Sequence, residues 1–306
     1  MTARVIRVGT RGSELAQRQA AIVLERLRRV APSREFEVVI VRTKGDEDQE
    51  SPLVQGSVTG WFTSALQEAL LRGAIDVAVH SYKDLPTARP DGLLIAAVPA
   101  REDPRDALVS RDGRTLRELP RGAVVGTGSP RREVQLRAIN PEVEVRPIRG
   151  NIDTRIAKME RGEYDAVVIA YAALLRLGQA DRAAQVFGPE ELLPAPAQGA
   201  LAAECRAGDE EVRELLEAID DREARLCVAA ERAFLARLQA GCSFPAAAHA
   251  ELYGSTVKLQ GLIAPGGQVI RGKVGGPAVA GPQLGRALAE DLLARAPAQQ
   301  PGHPTG

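Results

Sequence analysis

The chain has 306 residues, of which 44% are hydrophobic and 26% are charged, and its formal net charge is zero. This length predicts two or three domains, because one hydrophobic core rarely serves so long a chain. The balanced charge argues against a general nucleic-acid-binding protein, which needs a clustered surplus of basic residues.

The first two-thirds of the chain alternate short apolar strands with amphipathic helices. The pattern predicts strands over 4–8, 36–42 and 75–80 and helices over 13–29 and 61–71. Such alternation is typical of an open α/β sheet. Two proline-rich segments, 99–104 and 193–198, bracket a second series of strands and helices. We interpret these segments as crossovers between two α/β lobes.

Near residue 222 the pattern changes to that of a smaller α+β domain. A helix through residue 237, strands over 257–263 and 269–274, a turn at 265–267 and a helix over 284–295 are predicted. We therefore expect a first α/β domain of 1–99 with 200–220, a second of 100–199, an α+β domain of 221–296 and a disordered tail of 297–306.

Three loops share one design, in which a strand runs through a short polar loop into the start of a helix. They carry Arg11 and Ser13; Ser129, Arg131 and Arg132; and Arg149 and Arg155. Ser13 and Ser129 are candidate N-caps. Arginine in a first helical turn is unfavourable beside the positive end of the helix dipole, so its repetition predicts a bound anion such as a carboxylate. The alternative is solvated surface arginine in a chain with 35 Arg and 5 Lys.

Between the first two loops, the strand over 75–80 ends in Ser81, Tyr82, Lys83 and Asp84. In an open α/β sheet, ligands bind at this carboxyl end of the strands. Lys83 would supply a cation for a substrate carboxylate and Asp84 a carboxylate for proton transfer. A loop salt bridge or a helix cap is the alternative, and His80 fits a core position better than a catalytic one.

The three cysteines have no CxxC spacing, which indicates a reducing compartment and excludes a cysteine-based metal site. Cys205 and Cys227 lie in apolar surroundings typical of small core residues, whereas Cys242 follows a predicted helix end at Ala240-Gly241. A loop thiol there can attach another group, but a structural role is equally open. The first residues lack a secretory signal, and the longest apolar run is about half a membrane span. We expect a cytoplasmic protein with no membrane partner.

Six segments, in this order, resemble the hydroxymethylbilane synthase (porphobilinogen deaminase) family. They are VGTRGSELAQRQ, VHSYKDLPT, GTGSPRREVQL, RGNIDTRIAKMERGEYDAVVIA, PAPAQGALAAECR and ERAFLARLQAGCSFP. Each is weak alone, but six in order between residues 7 and 249 are highly specific. The resemblance implies two α/β domains like periplasmic binding proteins and a smaller α+β domain that carries the cysteine loop. It also implies an enzyme that joins four porphobilinogen molecules head to tail, with loss of ammonia, and releases hydroxymethylbilane by hydrolysis.

The resemblance also implies roles for individual residues. Cys242 would carry a dipyrromethane cofactor through a thioether, and Asp84 would be the catalytic carboxylate. The cofactor would be bound by Lys83, Ser129, Arg131 and Arg132. The acetate and propionate groups of the substrate would be bound by Arg11, Ser13, Arg149 and Arg155. We expect a monomer that uses no metal and no nucleic acid.

Some positions depart from the family pattern. The loop before the predicted helix at Trp61 lacks the usual lysines and acidic residues and has instead Gln55, Thr59, Ser64, Ala65 and Gln67. Gly128, Pro130, Ala197 and Ala240 also replace common residues, the last two standing where glycine is usual. We still expect an active enzyme, with altered loop dynamics. Two alternatives are a non-catalytic two-lobed protein that binds carboxylates or other anions, and a family member that has lost activity.

Overall fold

The computed structural model describes residues 4–42, 64–239 and 244–297. Within these ranges it has two five-stranded sheets and one three-stranded sheet, with helices packed against them. The first two sheets are mixed and the third is antiparallel. The three sheets define two α/β units and a smaller α+β unit. The predicted fold class is therefore confirmed.

The elements are defined as follows. The strands are β1 (Ile6–Thr10), β2 (Phe36–Ile40), β3 (Val77–Ser81), β4 (Leu93–Ala97), β5 (Asp106–Ser110), β6 (Val124–Gly126), β7 (Glu144–Arg146), β8 (Ala166–Ala170), β9 (Gln185–Val186), β10 (Leu201–Arg206), β11 (Ala246–Tyr253), β12 (Thr256–Ile263) and β13 (Ile270–Pro277). The α-helices are α1 (Glu14–Val30), α2 (Ser64–Leu71), α3 (Pro130–Ile139), α4 (Ile152–Glu160), α5 (Tyr171–Arg176), α6 (Glu210–Glu217), α7 (Arg222–Leu238) and α8 (Gly281–Ala294).

The first sheet has the strand order β2-β1-β3-β10-β4. Strands β1, β2 and β3 run parallel, and β10 runs antiparallel to both of its neighbours. Helix α1 begins after Ser13, whose Oγ accepts a hydrogen bond from the backbone N–H of Ala16 at 3.4 Å, as the sequence predicted. The apolar face of α1 buries Val23 and Leu27 against Val8 of β1, so burial of this face holds helix and sheet together.

The second sheet has the strand order β7-β6-β8-β5-β9. Strand β6 is parallel to both of its neighbours, and β5 is antiparallel to both of its own. All five residues of β8 are buried, which is typical of a strand that is covered on both faces. Strand β5 begins with a fully buried carboxylate, Asp106, before its apolar residues.

Two crossover segments connect the first two sheets. Residues 99–104 lead from β4 to β5, and residues 193–198 precede β10, which returns the chain to the first sheet. The segments touch, because Nε of Arg101 donates to the carbonyl oxygen of Gln198 at 2.8 Å. Ala197 has a φ of 62°, in the left-handed region that glycine adopts without steric cost. This backbone conformation explains why glycine suits the position.

The third sheet has the strand order β11-β12-β13, and α7 and α8 pack on it. The two helices approach closely at Gly285, where a Cβ atom would lie 2.2 Å from the carbonyl oxygen of Ala230. Phe234 and Leu259 are fully buried between the helices and the sheet. Strand β11 was not predicted from the sequence, whereas β12, β13 and α8 lie within a few residues of their predicted bounds.

A buried carboxylate on α7 ties the third unit to both crossovers. Glu231 binds the guanidinium of Arg101 through two hydrogen bonds of 2.7 and 3.0 Å, and it accepts hydrogen bonds from the backbone N–H groups of Ala197 and Ala250. Burial alone would raise the pKa of Glu231, but Arg101 and His249 outweigh it and lower the pKa to about 2. Glu231 therefore joins the two crossovers and β11 at one point.

Candidate active site

Lys83 and Asp84 lie on a 3-10 turn, Tyr82–Asp84, directly after β3. The backbone N–H of Tyr82 donates to the carbonyl oxygen of Ala200 at 3.0 Å, and the buried side chain of Leu85 closes the turn. Asp84 itself is exposed. The turn thus presents a carboxylate to solvent at the carboxyl end of a sheet strand, where the sequence predicted it.

Lys83 points towards the crossover rather than towards Asp84. Its Nζ donates to Oε1 of Gln198 at 3.1 Å, and Lys83 forms no salt bridge with any residue in the described ranges. Burial lowers the pKa of Lys83 to about 8, although the charge of Asp84 opposes this shift. The loop salt bridge that the sequence left open is therefore not formed, and the ammonium ion lies in a site that disfavours its charge.

Arg131 and Arg132 are buried and bind a carboxylate of the protein itself. Arg131 Nη1 lies 2.7 Å from Oδ2 of Asp106, and Arg132 Nη2 lies 2.6 Å from Oδ1. Burial would raise the pKa of Asp106, but these two guanidinium groups hold it well below its usual range. The sequence predicted an anion at the first turn of α3, and the carboxylate of Asp106 takes that position. The alternative of solvated surface arginine is wrong for this pair.

Ser129 stands at the N-cap position of α3, and Pro130 is the first helical residue, as predicted. The side chain of Ser129 makes no capping hydrogen bond. The predicted position of the N-cap is therefore correct, but the predicted hydrogen bond is wrong. Instead, the backbone N–H of Ser129 donates to Oγ1 of Thr127 at 3.2 Å, which shapes the loop. The Ser129 hydroxyl is not used to cap the helix.

Arg155, which follows the third loop, lies near Arg132 and Asp84. Its Nε donates to the carbonyl oxygen of Gly150 at 2.8 Å, and the helix that carries it begins after Asn151, whose Oδ1 accepts from the N–H of Thr154. Burial and the neighbouring charge of Arg132 lower the pKa of Arg155 to about 10, and Asp84 opposes the shift. Asp84, which follows a strand of the first sheet, therefore lies within electrostatic range of Arg155, which belongs to the second α/β unit.

The first loop lies beside the Asp84 turn. Gln19 of α1 exchanges two hydrogen bonds with the hydroxyl of Ser81, at 2.9 and 3.1 Å, two residues before Lys83. Arg11 and Ser13 are partly buried in that loop, whereas Arg149 is exposed at the end of the third loop. The roles predicted for Arg11, Ser13 and Arg149 stay predictions.

Two residues of this site were not predicted from the sequence. Gln198 is fully buried, and its Nε2 donates to Oδ1 of Asp106 at 2.9 Å and to the carbonyl oxygen of Pro104 at 2.7 Å. Gln198 therefore connects Lys83 of the first sheet to Asp106 of the second. The sequence did contain a signal for Asp106, which is a carboxylate at the start of an apolar strand. Such a carboxylate is expected to be buried, and a buried charge needs partners. We call Lys83, Asp84, Asp106, Arg131, Arg132, Arg155 and Gln198 the Asp84 site.

Two of the cysteines are core residues, as predicted. Cys205 is fully buried and Cys227 is 4% exposed. Burial raises the pKa of the Cys205 thiol to about 11 and that of Cys227 to about 12, so neither thiol forms a reactive thiolate near neutral pH. Cys242 lies outside the described residues, as do Gln55, Thr59 and Ala240.

His80 is a core residue, as predicted. It is 5% exposed, and its Nε2 lies 3.1 Å from Oε2 of Glu204. Gln67, one of the departures from the family pattern, donates to both oxygens of the same carboxylate at 3.1 and 3.2 Å. Gln67 therefore makes a buried contact between α2 and the first sheet.

The Asp84 site carries a surplus of positive charge. Its four cations, Lys83, Arg131, Arg132 and Arg155, face two carboxylates, Asp84 and Asp106. The lowered pKa values of Lys83 and Arg155 indicate that the two carboxylates do not fully offset the cost of burying these charges. A ligand with several carboxylates fits this donor set, because each carboxylate accepts charge-assisted hydrogen bonds. No helix in the described part of the chain is long and apolar enough to span a membrane.

Solved structures similar to this chain include two from periplasmic proteins. The VFT2 domain of Bordetella pertussis BvgS is 18% identical with a TM-score of 0.42, and the match covers 70% of this chain and 86% of that domain. The sulfonate-binding protein SsuA of Methylobacillus flagellatus is 12% identical with a TM-score of 0.40, covering 78% of this chain and 68% of the other.

Family comparisons cover nearly the whole chain. Residues 6–214 match the family model described as porphobilinogen deaminase, dipyromethane cofactor binding domain, and residues 225–294 match the porphobilinogen deaminase C-terminal domain. The porphobilinogen deaminase of Mycobacterium tuberculosis is 48% identical over 94% of this chain and 96% of its own length. That of Nocardia farcinica is 48% identical over 95% of this chain and 86% of its own length. This chain belongs to the porphobilinogen deaminase family.

Proposed function

We propose that this chain is a transferase that catalyses the hydroxymethylbilane synthase reaction. Four porphobilinogen molecules condense head to tail with loss of ammonia, and the linear tetrapyrrole hydroxymethylbilane is then released by hydrolysis. The observation that carries the proposal is the proximity of exposed Asp84 to the half-buried cations Lys83 and Arg155, in a chain of this family.

The residues of the Asp84 site fit the dipyrromethane cofactor of this family, because an acidic cofactor offsets their surplus positive charge. When bound, the cofactor supplies the free pyrrole α-carbon to which substrate units are added. Cys242 carries it through a thioether. The residues that bind its carboxylates are Lys83, Ser129, Arg131 and Arg132. Arg131 and Arg132 already donate to Asp106 and to the carbonyl oxygens of Leu193 and Val168, so this task falls to their other N–H groups.

Asp84 acts on the reacting pyrrole nitrogens. Its carboxylate accepts hydrogen bonds from pyrrole N–H groups and stabilises the positive charge that develops as ammonia leaves porphobilinogen. The same carboxylate then moves protons during formation of the new carbon–carbon bond. Asp84 suits this role because its turn exposes it to solvent close to Lys83 and Arg155.

Each substrate unit carries an acetate and a propionate group, so a growing chain needs cations spread over more than one loop. The residues that bind these groups are Arg11, Ser13, Arg149 and Arg155.

The same proposal includes a cytoplasmic monomer without nucleic-acid or membrane partners. Its domains span 1–99 with 200–220, 100–199 and 221–296. A non-catalytic anion-binding protein would have no use for Asp84 or for a cofactor on Cys242.

Intact mass spectrometry and an activity assay test the proposal together. The purified protein is expected to exceed its sequence mass by two linked pyrrole units, and Cys242→Ser is expected to lack this increment. Asp84→Asn should fold normally but lose turnover by about a hundredfold or more, the scale of general acid–base catalysis. The exposed Asp91→Asn serves as the matched control. An unmodified, well-folded wild-type protein without activity would refute the proposal.

A further inference from the structure

Arg232, on α7, binds the segment that carries Asp84. Its Nη1 donates to the carbonyl oxygens of Leu85 at 3.0 Å and of Tyr82 at 3.3 Å, and its Nη2 donates to the carbonyl oxygen of Pro86 at 2.5 Å. The guanidinium carbon also lies 4.5 Å from the centre of the Tyr82 ring, a cation–π distance. One side chain therefore holds the backbone on both sides of Asp84.

Besides Arg232, the turn is held by the backbone hydrogen bond from Tyr82 to Ala200, by the contact of Lys83 with Gln198 and by the buried Leu85. Its own backbone hydrogen bond, from the N–H of Leu85 to the carbonyl oxygen of Tyr82, is 3.3 Å, which is long for such a bond. The side chain of Leu85 packs in a buried cluster with Ala224 and Val228 of α7. Since Asp84 is exposed, the position of its carboxylate depends on the turn, and α7 is one of the elements that hold the turn.

The position of Arg232 disfavours its positive charge. Burial lowers its pKa, and within the described ranges no carboxylate forms a salt bridge with it. Its charge is stabilised there by three backbone carbonyls and an aromatic ring, all belonging to the segment around Asp84. Among the described residues, the hydrogen bonds of Arg232 all go to one short segment, so the side chain is suited to hold that segment in place.

We propose that Arg232 is a positioning residue that fixes the Tyr82–Pro86 segment on α7 and thereby holds Asp84 in place for each addition. This inference rests on the proposed function. Cys242 follows the last residue of α7 by four positions, so the helix that holds the Asp84 segment also leads to the proposed attachment point of the cofactor. A displaced Asp84 would slow the reaction without weakening the sites that bind substrate carboxylates.

Arg225 provides a matched control on the same helix. Its Nη2 donates to the carbonyl oxygen of Ala96 in β4 at 2.7 Å, and its Nε lies 2.6 Å from Oδ2 of Asp220. It therefore also connects α7 to a backbone carbonyl of the first sheet, but it does not contact the Asp84 segment. Loss of either arginine removes contacts between α7 and that sheet.

The test compares kcat, KM and thermal unfolding of the wild type, Arg232→Met, Arg232→Lys and Arg225→Met, each with cofactor loading measured by intact mass. We expect Arg232→Met to lower kcat by about tenfold or more with KM within about twofold, because a small misplacement of a catalytic group is costly. Arg232→Lys should be intermediate, since an ammonium ion reaches the carbonyls without the planar fork. Arg225→Met should leave kcat unchanged.

Equal loss of kcat in the Arg232→Met and Arg225→Met proteins, or wild-type kcat in Arg232→Met, would overturn the inference. If Arg232→Met does not fold, Arg232→Lys decides: an intermediate kcat at unchanged KM supports the positioning role, and wild-type kcat refutes it. A wild-type protein with neither cofactor nor activity would instead refute the proposed function, so the two failures are distinguishable.

Discussion

The carboxylate of Asp106 lies 2.6 Å from Nη2 of Arg132, and both side chains are almost completely buried. The same carboxylate binds Arg131, and Gln198 is the third side chain that donates a hydrogen bond to it. Two arginines at the start of a helix are thus held by a carboxylate from a neighbouring strand. This arrangement fixes one side of each guanidinium group before any ligand binds, which favours a single orientation of the remaining N–H groups.

Removal of the Asp106 charge is expected to destabilise the protein strongly. Asp106→Asn keeps the shape of the side chain but leaves two buried guanidinium groups without their anion. Loss of one partner of a buried ion pair costs about 3 to 5 kcal/mol, so the free energy of unfolding should fall by about this amount. Chemical denaturation followed by circular dichroism measures the change.

Glu163→Gln is the matched control for this prediction. The Arg161–Glu163 pair has a similar N–O distance of 2.6 Å, but its side chains are 58% and 45% exposed. An exposed pair contributes about 0 to 1 kcal/mol, so this variant should unfold almost like the wild type. Equal stability of Asp106→Asn and Glu163→Gln would show that the buried pair contributes no more than a surface pair.

Glu231 should make the stability of the protein depend on acidic pH. Its pKa is about 2 in the folded state against an ordinary value of 4.5, because Arg101 and His249 outweigh the effect of burial. A lowered carboxyl pKa stabilises the folded state above the unfolded pKa, and this contribution is lost as the pH falls from about 4.5 towards 2. The free energy of unfolding should therefore fall over this interval.

Glu231→Gln isolates the contribution of this residue. The difference in unfolding free energy between the wild type and this variant should stay constant above about pH 5 and shrink as the pH falls below 4.5. Denaturant titrations at several pH values measure it, and Glu163→Gln again serves as an exposed control. A difference that does not change between pH 5 and pH 3 would contradict the lowered pKa.

Much of the fold was predictable because apolar periodicity directly reflects burial. Strand β3 and helix α1 lie within two residues of their predicted bounds. Strand β11 was missed because Ala246, Ala247 and Ala248 lack the branched side chains that identify a strand. That strand is instead specified by pairing with β12 along all eight of its residues, a contact that local sequence does not contain.

The site was predictable only in part, for a related reason. Lys83 and Asp84 follow an apolar strand, so the rule that ligands bind at the carboxyl end of strands located them. Gln198 is more than a hundred residues from Lys83, and it contacts Lys83 and Asp106 only because the two crossovers lie together. Contacts of this kind depend on chain topology and leave no periodic signal in the sequence.

Lys83 should titrate near pH 8, well below an exposed lysine. Burial disfavours its charged form and lowers the pKa to about 8, so the cation that would hold a ligand carboxylate is progressively lost above that pH. The chain has only five lysines, and reductive ¹³C-methylation followed by NMR therefore gives a spectrum with few signals. Lys83→Arg and Lys273→Arg assign the two signals of interest.

The exposed Lys273 is the internal control. The charge of Asp84 raises the pKa of Lys83 against the effect of burial, so Asp84→Asn should move the Lys83 midpoint further below 8, while the Lys273 midpoint stays constant. A Lys83 signal that titrates with that of Lys273 would show that its ammonium ion is solvated. A midpoint unchanged by Asp84→Asn would show that the two side chains do not interact, and a shared role for Lys83 and Asp84 would lose its electrostatic basis.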